Sequence, residues 1–173
     1  HVASLYVDCG APIMVTDPAS AETCKYAANA FLAAKLSFTN AIAAVCEAVG
    51  ADVNDVLLGM GYDHRIGHEF LRPGPGWGGS CLPKDSNAII SIAEDAGYDF
   101  ALMRGVIQAN DEQFDRIVRK VESVTSLDGA TVGVLGIAFK AGTDDTRESP
   151  AIEVMKRLLA KGAMVKAYDP AVA

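Results

Sequence analysis

An uninterrupted stretch of 32 residues constrains this fold most, because between Pro18 and Val49 the sequence contains no glycine and no further proline. Asp17 is well suited to cap a helix N-terminus, Pro18 fits the first helical position, and Gly50 fits the position just past a helix C-terminus. At 1.5 Å per residue, a helix over this stretch would be a rod of about 48 Å. The sequence therefore predicts one helix longer than a chain of this size needs for its own packing.

The apolar residues of this predicted helix recur at intervals of three and four, which places them along one side. This apolar stripe consists of Phe31, Ala34, Phe38, Ile42, Val45 and Val49. We expect the stripe to pack against a second copy of the chain in a homodimer, with burial inside its own helical domain as the alternative. Another face of the same helix carries Lys25 and Asn29 one turn apart, either as a functional pair or as a solvated surface pair.

A segment rich in glycine and proline follows. From Pro73 to Gly79, four glycines and two prolines occur within seven residues, a composition that neither a helix nor a central strand accommodates. This thiol loop leads to Cys81, and helical periodicity resumes directly afterwards, so Cys81 is predicted at a helix N-terminus, where free N–H groups favour a thiolate. Asp85 would lie about one turn further on the same side. The alternative is a flexible linker before a structural cysteine, but Trp77 argues for an anchored loop.

The overall composition excludes several classes of protein. A net charge of −7 and an isoelectric point near 4.9 argue against nucleic acid and anionic membranes as partners. Charged residues interrupt every apolar run before roughly 18 residues, so no transmembrane helix is expected, and we predict a cytoplasmic protein with four reduced cysteines. His64 and His68 are spaced by four residues, but their order does not match a zinc motif and Gly67 interrupts the segment, so no metal site is predicted.

The second half of the chain changes period. A short helix is predicted near 51–58, and a second long helix from Ala101 to about Ser126 with a buried face of Leu102, Val106, Ala109, Ile117, Val121 and Val124. Strand-like runs at 131–135 and 164–168 then flank an amphipathic helix at 150–161, which predicts a β-α-β unit with parallel strands. The turn after the first strand does not match G-x-G-x-x-G, and Asp169 follows the second strand where a nucleotide-binding fold would place a polar contact.

Three runs of residues resemble signatures of the UDP-glucose/GDP-mannose dehydrogenase family. They are Lys25-Tyr-Ala-Ala-Asn29, then Trp77-Gly-Gly-Ser-Cys81-Leu-Pro-Lys-Asp85, then Gly136-Ile-Ala-Phe-Lys140 with its continuation Asp145-Thr-Arg147-Glu-Ser-Pro. They occur in the family's order and spacing, and the resemblance covers essentially the whole chain. The run from Asp63 to Gly67 together with the thiol loop is most similar to the branch that acts on UDP-glucose. GDP-mannose and UDP-N-acetylhexosamines are the alternative substrates within the family.

The resemblance implies an NAD-dependent enzyme that oxidises the C6 hydroxymethyl group of UDP-glucose to a carboxylate in two hydride transfers. In the family pattern, the cysteine matching Cys81 captures the C6 aldehyde, and the resulting thioester is hydrolysed. Lys25 and Asn29 match the residues that stabilise the developing oxyanion and hold water, and Asp85 matches a carboxylate that activates water or takes the thiol proton.

The resemblance also implies binding residues. The loop that wraps the sugar nucleotide is matched by Phe70, Leu71, Arg72, Gly74, Gly76, Trp77 and Gly78. Arg65 matches an arginine that reaches a neighbouring subunit's site, Lys140 matches a substrate-binding lysine, and Arg147 matches a residue near the NAD phosphates. No residue matches a metal ligand.

The expected fold is a mainly α central domain with a long dimerisation helix, followed by the first β-α-β unit of a Rossmann-like α/β domain. Residues 1–16 would end a linker from an N-terminal NAD-binding domain, residues 17–128 form the helical catalytic domain, and residues 129–173 begin a UDP-binding domain. Without a pyrophosphate cradle this stretch alone is expected to be inactive. The alternative from another class of protein is a non-catalytic helical dimerisation module.

Overall fold

The computed structural model describes residues 2–172, which form a helical bundle followed by a small parallel sheet. A short 3₁₀ helix (Ala3–Cys9) comes first. The α-helices within the described residues are α1 (Pro18–Val49), α2 (Val53–Gly61), α3 (Leu82–Asp95), α4 (Ala101–Glu122) and α5 (Pro150–Ala160), and the strands are β1 (Thr131–Leu135) and β2 (Met164–Tyr168).

The long helix α1 begins and ends where the sequence predicts. The Asp17 carboxylate accepts a hydrogen bond from the Ser20 N–H at 3.0 Å, and Gly50 adopts a left-handed conformation with φ 75° just past the last turn. The helix packs against α2, α3 and α4 and so forms the spine of the bundle. The predicted bounds of this helix are thereby confirmed, and Asp17 and Gly50 mark its two ends.

Helix α1 also has the length and composition of a membrane-spanning helix, contrary to the expectation that charged residues exclude one. Lys35 is the one charged residue in the middle of the helix, and it does not lower the mean hydropathy of this stretch below that of a membrane-spanning helix. About a third of its most apolar window is buried inside the structure, and core helices of soluble proteins satisfy the same criteria. The packing of α1 against three other helices accounts for part of this apolar character.

Helix α4 differs from its prediction in both length and buried face. It ends at Glu122, about one turn early, and Leu102 and Val124 are 73% and 82% exposed rather than buried. The buried face instead consists of Met103, Val106, Asn110, Gln113, Phe114 and Val118. The prediction was right for Val106, and Ile117 and Val121 are partly buried, but it was wrong for Leu102 and Val124. It followed apolar residues only, whereas two of the buried positions carry amides.

The structure has two apolar cores, joined by α4. The first surrounds Trp77 and takes residues from α1 and α4, namely Ala30, Ala33, Met103 and Val106. The second lies between α4, α5 and the strands, and consists of Phe114, Val118, Leu127, Val154, Leu158 and Ala163. Because α4 contributes to both, it fixes the helical part relative to the β-α-β part. Trp77 is thus the anchor that its position between glycines predicts.

The C-terminal part forms the predicted β-α-β unit. Strands β1 and β2 pair in parallel, with Thr131 opposite Met164 and Leu135 opposite Tyr168, and α5 connects them. The Ser149 hydroxyl caps α5 by accepting from the Ala151 N–H at 3.2 Å. The segment between β1 and α5, residues 136–149, is therefore held at both ends and extends towards the helical part.

Two buried serines give a matched test of polar burial. The Ser86 hydroxyl is buried and has no hydrogen-bond partner among residues 2–172, whereas the Ser37 hydroxyl donates to the Val106 carbonyl and accepts from the Trp77 indole N–H, both at 2.9 Å. We expect Ser86→Ala to stabilise the fold by about 1 kcal/mol and Ser37→Ala to destabilise it by about 1–3 kcal/mol. Urea unfolding measures both, and a comparable loss from Ser86→Ala would show that its hydroxyl has a partner.

Candidate active site

A cavity of about 430 Å³ lies between α1, the thiol loop and the turn that follows β1. Its walls consist of Asn29, Leu32, Leu36, Phe70, Gly76, Trp77, Gly78, Ser80, Cys81, Leu82, Phe139 and Lys140. Seven predicted site residues are among them, although they come from three separate segments of the sequence. The volume falls in the range of pockets that bind small molecules, and the mixture of apolar walls with few polar groups is typical of such sites.

Buried amide side chains fix the backbone of the thiol loop. The Gly74 N–H donates to Asn40 Oδ1 at 2.8 Å, and Gln113 Nε2 donates to the Gly74 carbonyl at 2.7 Å. Asn110 holds both backbone polar groups of Trp77, accepting from its N–H at 2.8 Å and donating to its carbonyl at 2.9 Å. Asn40, Asn110 and Gln113 form an amide cradle, which explains how a segment with four glycines keeps one shape.

Close approaches explain why glycines are required in this loop. At Gly76, φ is 126°, and a methyl group there would overlap the ring of Phe114. At Gly78, a methyl group would overlap the carbonyl oxygen of Glu148. Glu148 itself has a positive φ of 48°, and Phe70 at the start of the loop has φ 60°. Backbone strain of this kind concentrates at functional sites, and here both strained residues border the loop.

The thiol of Cys81 is exposed at the start of α3. The Asp85 N–H donates to the Cys81 carbonyl at 2.9 Å, so these residues are one helical turn apart, as predicted. The pKa of Lys84 is raised, mainly by its hydrogen bond to Asp85, with a smaller contribution from the charge of Cys81. The pKa of Arg147 is raised mainly by Asp145, and again partly by Cys81. Two cations, Lys84 and Arg147, therefore lie within electrostatic range of the thiol.

Asp85 is almost completely buried, with 2% exposure, and is surrounded by donors. Asn29 Nδ2 donates to its Oδ2 at 2.5 Å, Lys25 Nζ lies 3.5 Å from the same oxygen, and Lys84 Nζ contacts Oδ1. The hydrogen bond from Lys84 is the main cause that lowers the pKa of Asp85, assisted by Asn29 and the charge of Lys25, while burial opposes them. The carboxylate is therefore ionised at neutral pH and fixes the orientation of Asn29.

Other predicted residues lie around the cavity without lining it. Lys25 Nζ lies 3.5 Å from Asp85, and the Lys25 side chain is 62% exposed. Gly74 contributes its backbone to the amide cradle. Arg72 is exposed, whereas the buried side chain of Leu71 and the guanidinium of Arg65 line a separate groove beside the apolar stripe.

Arg147 is likewise outside the cavity wall. Its guanidinium forms a bidentate ion pair with the Asp145 carboxylate, with Nε 3.0 Å from Oδ1 and Nη2 2.6 Å from Oδ2. The side chain is 70% exposed, which leaves its outer face open to a ligand. Arg147 is thus within electrostatic range of the thiol but forms an ion pair within its own loop.

Sequence reasoning missed several residues that shape the site. Asn110 and Gln113 lie on one face of α4 at a spacing of three, and two amides on an otherwise apolar face are the signal that could have identified them. Lys84 contacts Asp85 although the two are adjacent, whereas neighbours on a helix usually point apart. Phe139 was quoted only as part of a motif. In residues 2–172 no group of three or more histidine, cysteine or acidic side chains could hold a metal ion.

An exposed thiol at a helix N-terminus, beside a cavity and an ionised carboxylate network, defines a site suited to covalent catalysis. Comparison with known proteins identifies the group to which the site belongs. Residues 19–112 match the central domain of the UDP-glucose/GDP-mannose dehydrogenase family, and residues 133–173 match the UDP binding domain of that family. The chain belongs to this family.

Individual relatives agree with the family match. The chain is 53% identical to UDP-glucose 6-dehydrogenase TuaD of Bacillus subtilis (strain 168), over 92% of this chain and 35% of the relative. It superposes on a UDP-glucose dehydrogenase from Pyrobaculum islandicum with a TM-score of 0.93 and 40% identity, covering 98% of this chain and 40% of that one. A UDP-D-ManNAc dehydrogenase from Pyrococcus horikoshii gives a TM-score of 0.83 at 30% identity. The chain thus spans little more than a third of the length of these relatives.

Proposed function

We propose that this chain is the catalytic and substrate-binding portion of an NAD-dependent UDP-glucose 6-dehydrogenase, which oxidises UDP-glucose to UDP-glucuronate. The observation that carries the proposal is the placement of the Cys81 thiol on a cavity lined by Asn29 and Lys140, with Asp85 one turn away. The similarity to enzymes named as UDP-glucose dehydrogenases supports this substrate over the other sugar nucleotides of the family. Alone, residues 1–173 are expected to be inactive.

The proposed chemistry passes through Cys81 in three steps after the alcohol has become an aldehyde. The thiolate adds to C6 of the aldehyde, and the oxygen takes a proton to give a thiohemiacetal. Loss of a hydride and a proton converts the thiohemiacetal into a thioester. Water then attacks the thioester, which releases the carboxylate and returns the thiol. Covalent attachment keeps the aldehyde from leaving the site between the two oxidations.

The residues around Cys81 have separate parts in this proposal. Asn29 lines the cavity and orients water or the developing oxyanion there. Asp85 does not line the cavity, so it acts through Asn29 and through Lys25, whose ammonium group supplies positive charge. Lys140 is the basic residue among those that line the cavity, and its ammonium suits the phosphates of a sugar nucleotide.

NAD, when bound, accepts the hydride in each oxidation. Within residues 2–172 the arrangement does not fit its pyrophosphate, because the turn after β1 lacks the glycine fingerprint and its Ile137 and Ala138 N–H groups already bond Asp169. Arg147 is the cofactor contact that we propose from this stretch, since it is exposed near the thiol. The cradle itself would come from an N-terminal domain preceding residue 17.

The direct test uses the full-length protein that carries this sequence. With UDP-glucose we expect two NAD reduced per substrate consumed, and lower kcat/KM with GDP-mannose and UDP-N-acetylglucosamine. Cys81→Ser should still allow the first oxidation, to the aldehyde level, but not the second. Preference for another sugar nucleotide would reassign the substrate, and a protein that binds no sugar nucleotide and only dimerises would be the non-catalytic module instead.

We further propose that α1 mediates a homodimer. Most of the apolar stripe is left uncovered, since Phe31 and Phe38 are 66% and 53% exposed and Val45 and Val49 are exposed as well, while Ala34 and Ile42 are partly buried. A second copy of the same helix offers a partner of matching length and chemistry, and two-fold pairing is the commonest way for a protein to cover such a face. The groove that contains Arg65 lies beside Phe31 and Phe38, which suits an arginine that reaches the partner's site.

Light scattering tests the dimer at high micromolar concentration. We expect a dimer for the unmodified chain and a weakening of at least about tenfold for Phe38→Glu, because a charge would be buried in the interface. Leu102→Glu is the matched control, since Leu102 is equally apolar and exposed but lies on α4. A monomeric unmodified chain, or equal effects of the two substitutions, would contradict the proposal.

The domain organisation and the location of the protein follow from the same proposal. Residues 17–128 would be the central catalytic and dimerisation domain, and residues 129–173 the start of a Rossmann-like UDP-binding domain. We propose a cytoplasmic enzyme that binds neither nucleic acid nor membrane, because the acidic chain repels polyanionic partners.

A further inference from the structure

The carboxylate of Asp169 closes the turn that follows β1. Its Oδ2 accepts from the Ile137 N–H at 2.7 Å and from the Ala138 N–H at 3.0 Å, and its Oδ1 accepts from the Ala171 N–H at 2.8 Å. These backbone donors lower the pKa of Asp169 to about 2. The Asp169 side chain is therefore a fixed anion at the C-terminal ends of β1 and β2.

This arrangement changes the part that the turn can play. In nucleotide-binding folds of this topology, free N–H groups after the first strand receive the phosphates of the ligand. Here the protein's own carboxylate occupies those donors, so the turn cannot bind phosphate in that way. The turn, residues 136–140, is instead held firmly against the strands, since the Gly136 N–H also donates to the Tyr168 carbonyl at 2.8 Å. We call these residues the arm.

The arm carries two residues into the cavity wall, Phe139 and Lys140. The Phe139 N–H donates to the Asp145 carbonyl at 2.9 Å, and its ring packs on Gly79, where a methyl group would overlap it. Lys140 Nζ lies over the Phe139 ring, 5.3 Å from its centroid. The position of both side chains against the thiol loop therefore depends on how the preceding residues, 136–138, are held.

We propose that Asp169 is a positioning residue for substrate binding, which holds the Ile137 and Ala138 N–H groups so that Lys140 meets the diphosphate of the sugar nucleotide beside the thiol loop. The inference rests on the proposed function for its substrate. It goes beyond that function because Asp169 touches neither the cavity nor the thiol. Its effect would appear in binding rather than in the chemical steps at Cys81.

Steady-state kinetics of the full-length enzyme test the proposal. Asp169→Ala should raise KM for UDP-glucose about tenfold while kcat changes less than about threefold, because uniform binding is lost. Asp169→Asn keeps an acceptor oxygen and should restore most of the affinity, which also keeps the test valid if the alanine variant folds poorly. Asp52→Ala is the matched control, since it removes a carboxylate that accepts the Asn54 N–H at 2.7 Å far from the cavity, and it should leave KM unchanged.

A double-mutant cycle identifies the residue through which Asp169 acts. In a Lys140→Met background, Asp169→Ala should add little further increase in KM, because the two substitutions remove one interaction. Multiplicative effects on KM, or an Asp169→Ala enzyme with normal KM, would overturn the proposal.

A second measurement does not depend on activity. Release of the arm should break the hydrogen bond from the Phe139 N–H to the Asp145 carbonyl, so hydrogen–deuterium exchange should label this amide several-fold faster in Asp169→Ala than in the unmodified protein or in Asp52→Ala. Equal labelling rates would count against Asp169. If the unmodified enzyme does not oxidise UDP-glucose, the proposed function fails, whereas the difference in labelling still decides whether Asp169 positions the arm.

Discussion

Replacing Asp85 with asparagine is expected to stall the full-length enzyme as a thioester on Cys81. The carboxylate accepts from Asn29 and lies 3.5 Å from Lys25, so the amide would lose the charge that orients both groups. Thiohemiacetal formation needs only the thiol and the aldehyde, whereas hydrolysis needs an ordered water. We therefore expect hydrolysis to slow by about 10²-fold, because Asn29 would no longer be held where it orients the attacking water, and misplacement by about 1 Å can cost that much.

Intact mass spectrometry of Asp85→Asn during turnover would show the accumulated species as an addition of one sugar nucleotide. The matched control is Glu94→Gln, which makes the same chemical change on the same helix at an exposed residue paired with Arg104. It should turn over normally and show no adduct. Loss of activity in Asp85→Asn without any covalent species would mean that Asp85 acts before thioester formation.

Lys25→Ala should instead slow hydride transfer itself, by about 10²-fold.

Gly78→Ala should be the most damaging single methyl group that can be added to the chain. The new carbon would overlap the Glu148 carbonyl oxygen, which is backbone and cannot rotate away, so the loop or the 145–149 segment must shift. A shift of the loop would displace Cys81 from the cavity wall. Because misplacement of reacting groups by about 1 Å can cost 10²-fold, we expect kcat to fall by at least about that factor.

Gly105→Ala supplies the control for this substitution. Gly105 lies within α4, and a methyl group there meets no atom within 4 Å. Alanine should stabilise the helix by roughly 0.5–1 kcal/mol and leave turnover unchanged. Thermal unfolding and steady-state rates of both variants make the comparison. A Gly78→Ala enzyme that turns over normally would show that the thiol loop does not need its contact with Glu148.

Much of the fold could be predicted because its signals are local. The ends of α1 follow from Asp17 and Gly50, and the parallel β-α-β unit follows from the change in period after residue 127. Trp77 between glycines predicted an anchored loop, and the indole is buried in a core. These features depend on residues close in sequence, so they can be recognised in the sequence of one chain.

The parts that sequence reasoning missed depend on polar burial and on distant contacts. Asn110 and Gln113 bond a loop more than thirty positions away, and nothing in a helical period of apolar residues indicates which amides are buried. Leu102 was assigned to the buried face because it is apolar, yet it is exposed. The contact between Lys84 and Asp85 depends on side-chain direction rather than on spacing. Three-dimensional packing decides each of these cases.

The order of synthesis gives the thiol loop a further property. The loop emerges from the ribosome before α4, whose amides hold Gly74 and Trp77, and before Glu148, whose carbonyl accepts from the Gly79 N–H at 3.4 Å. During translation Cys81 therefore lies on an unshaped segment, since a domain generally folds as a unit and these partners have not yet been made. The nucleophile acquires its surroundings only when residues made up to seventy positions later arrive, so a nascent chain carries no assembled reactive site.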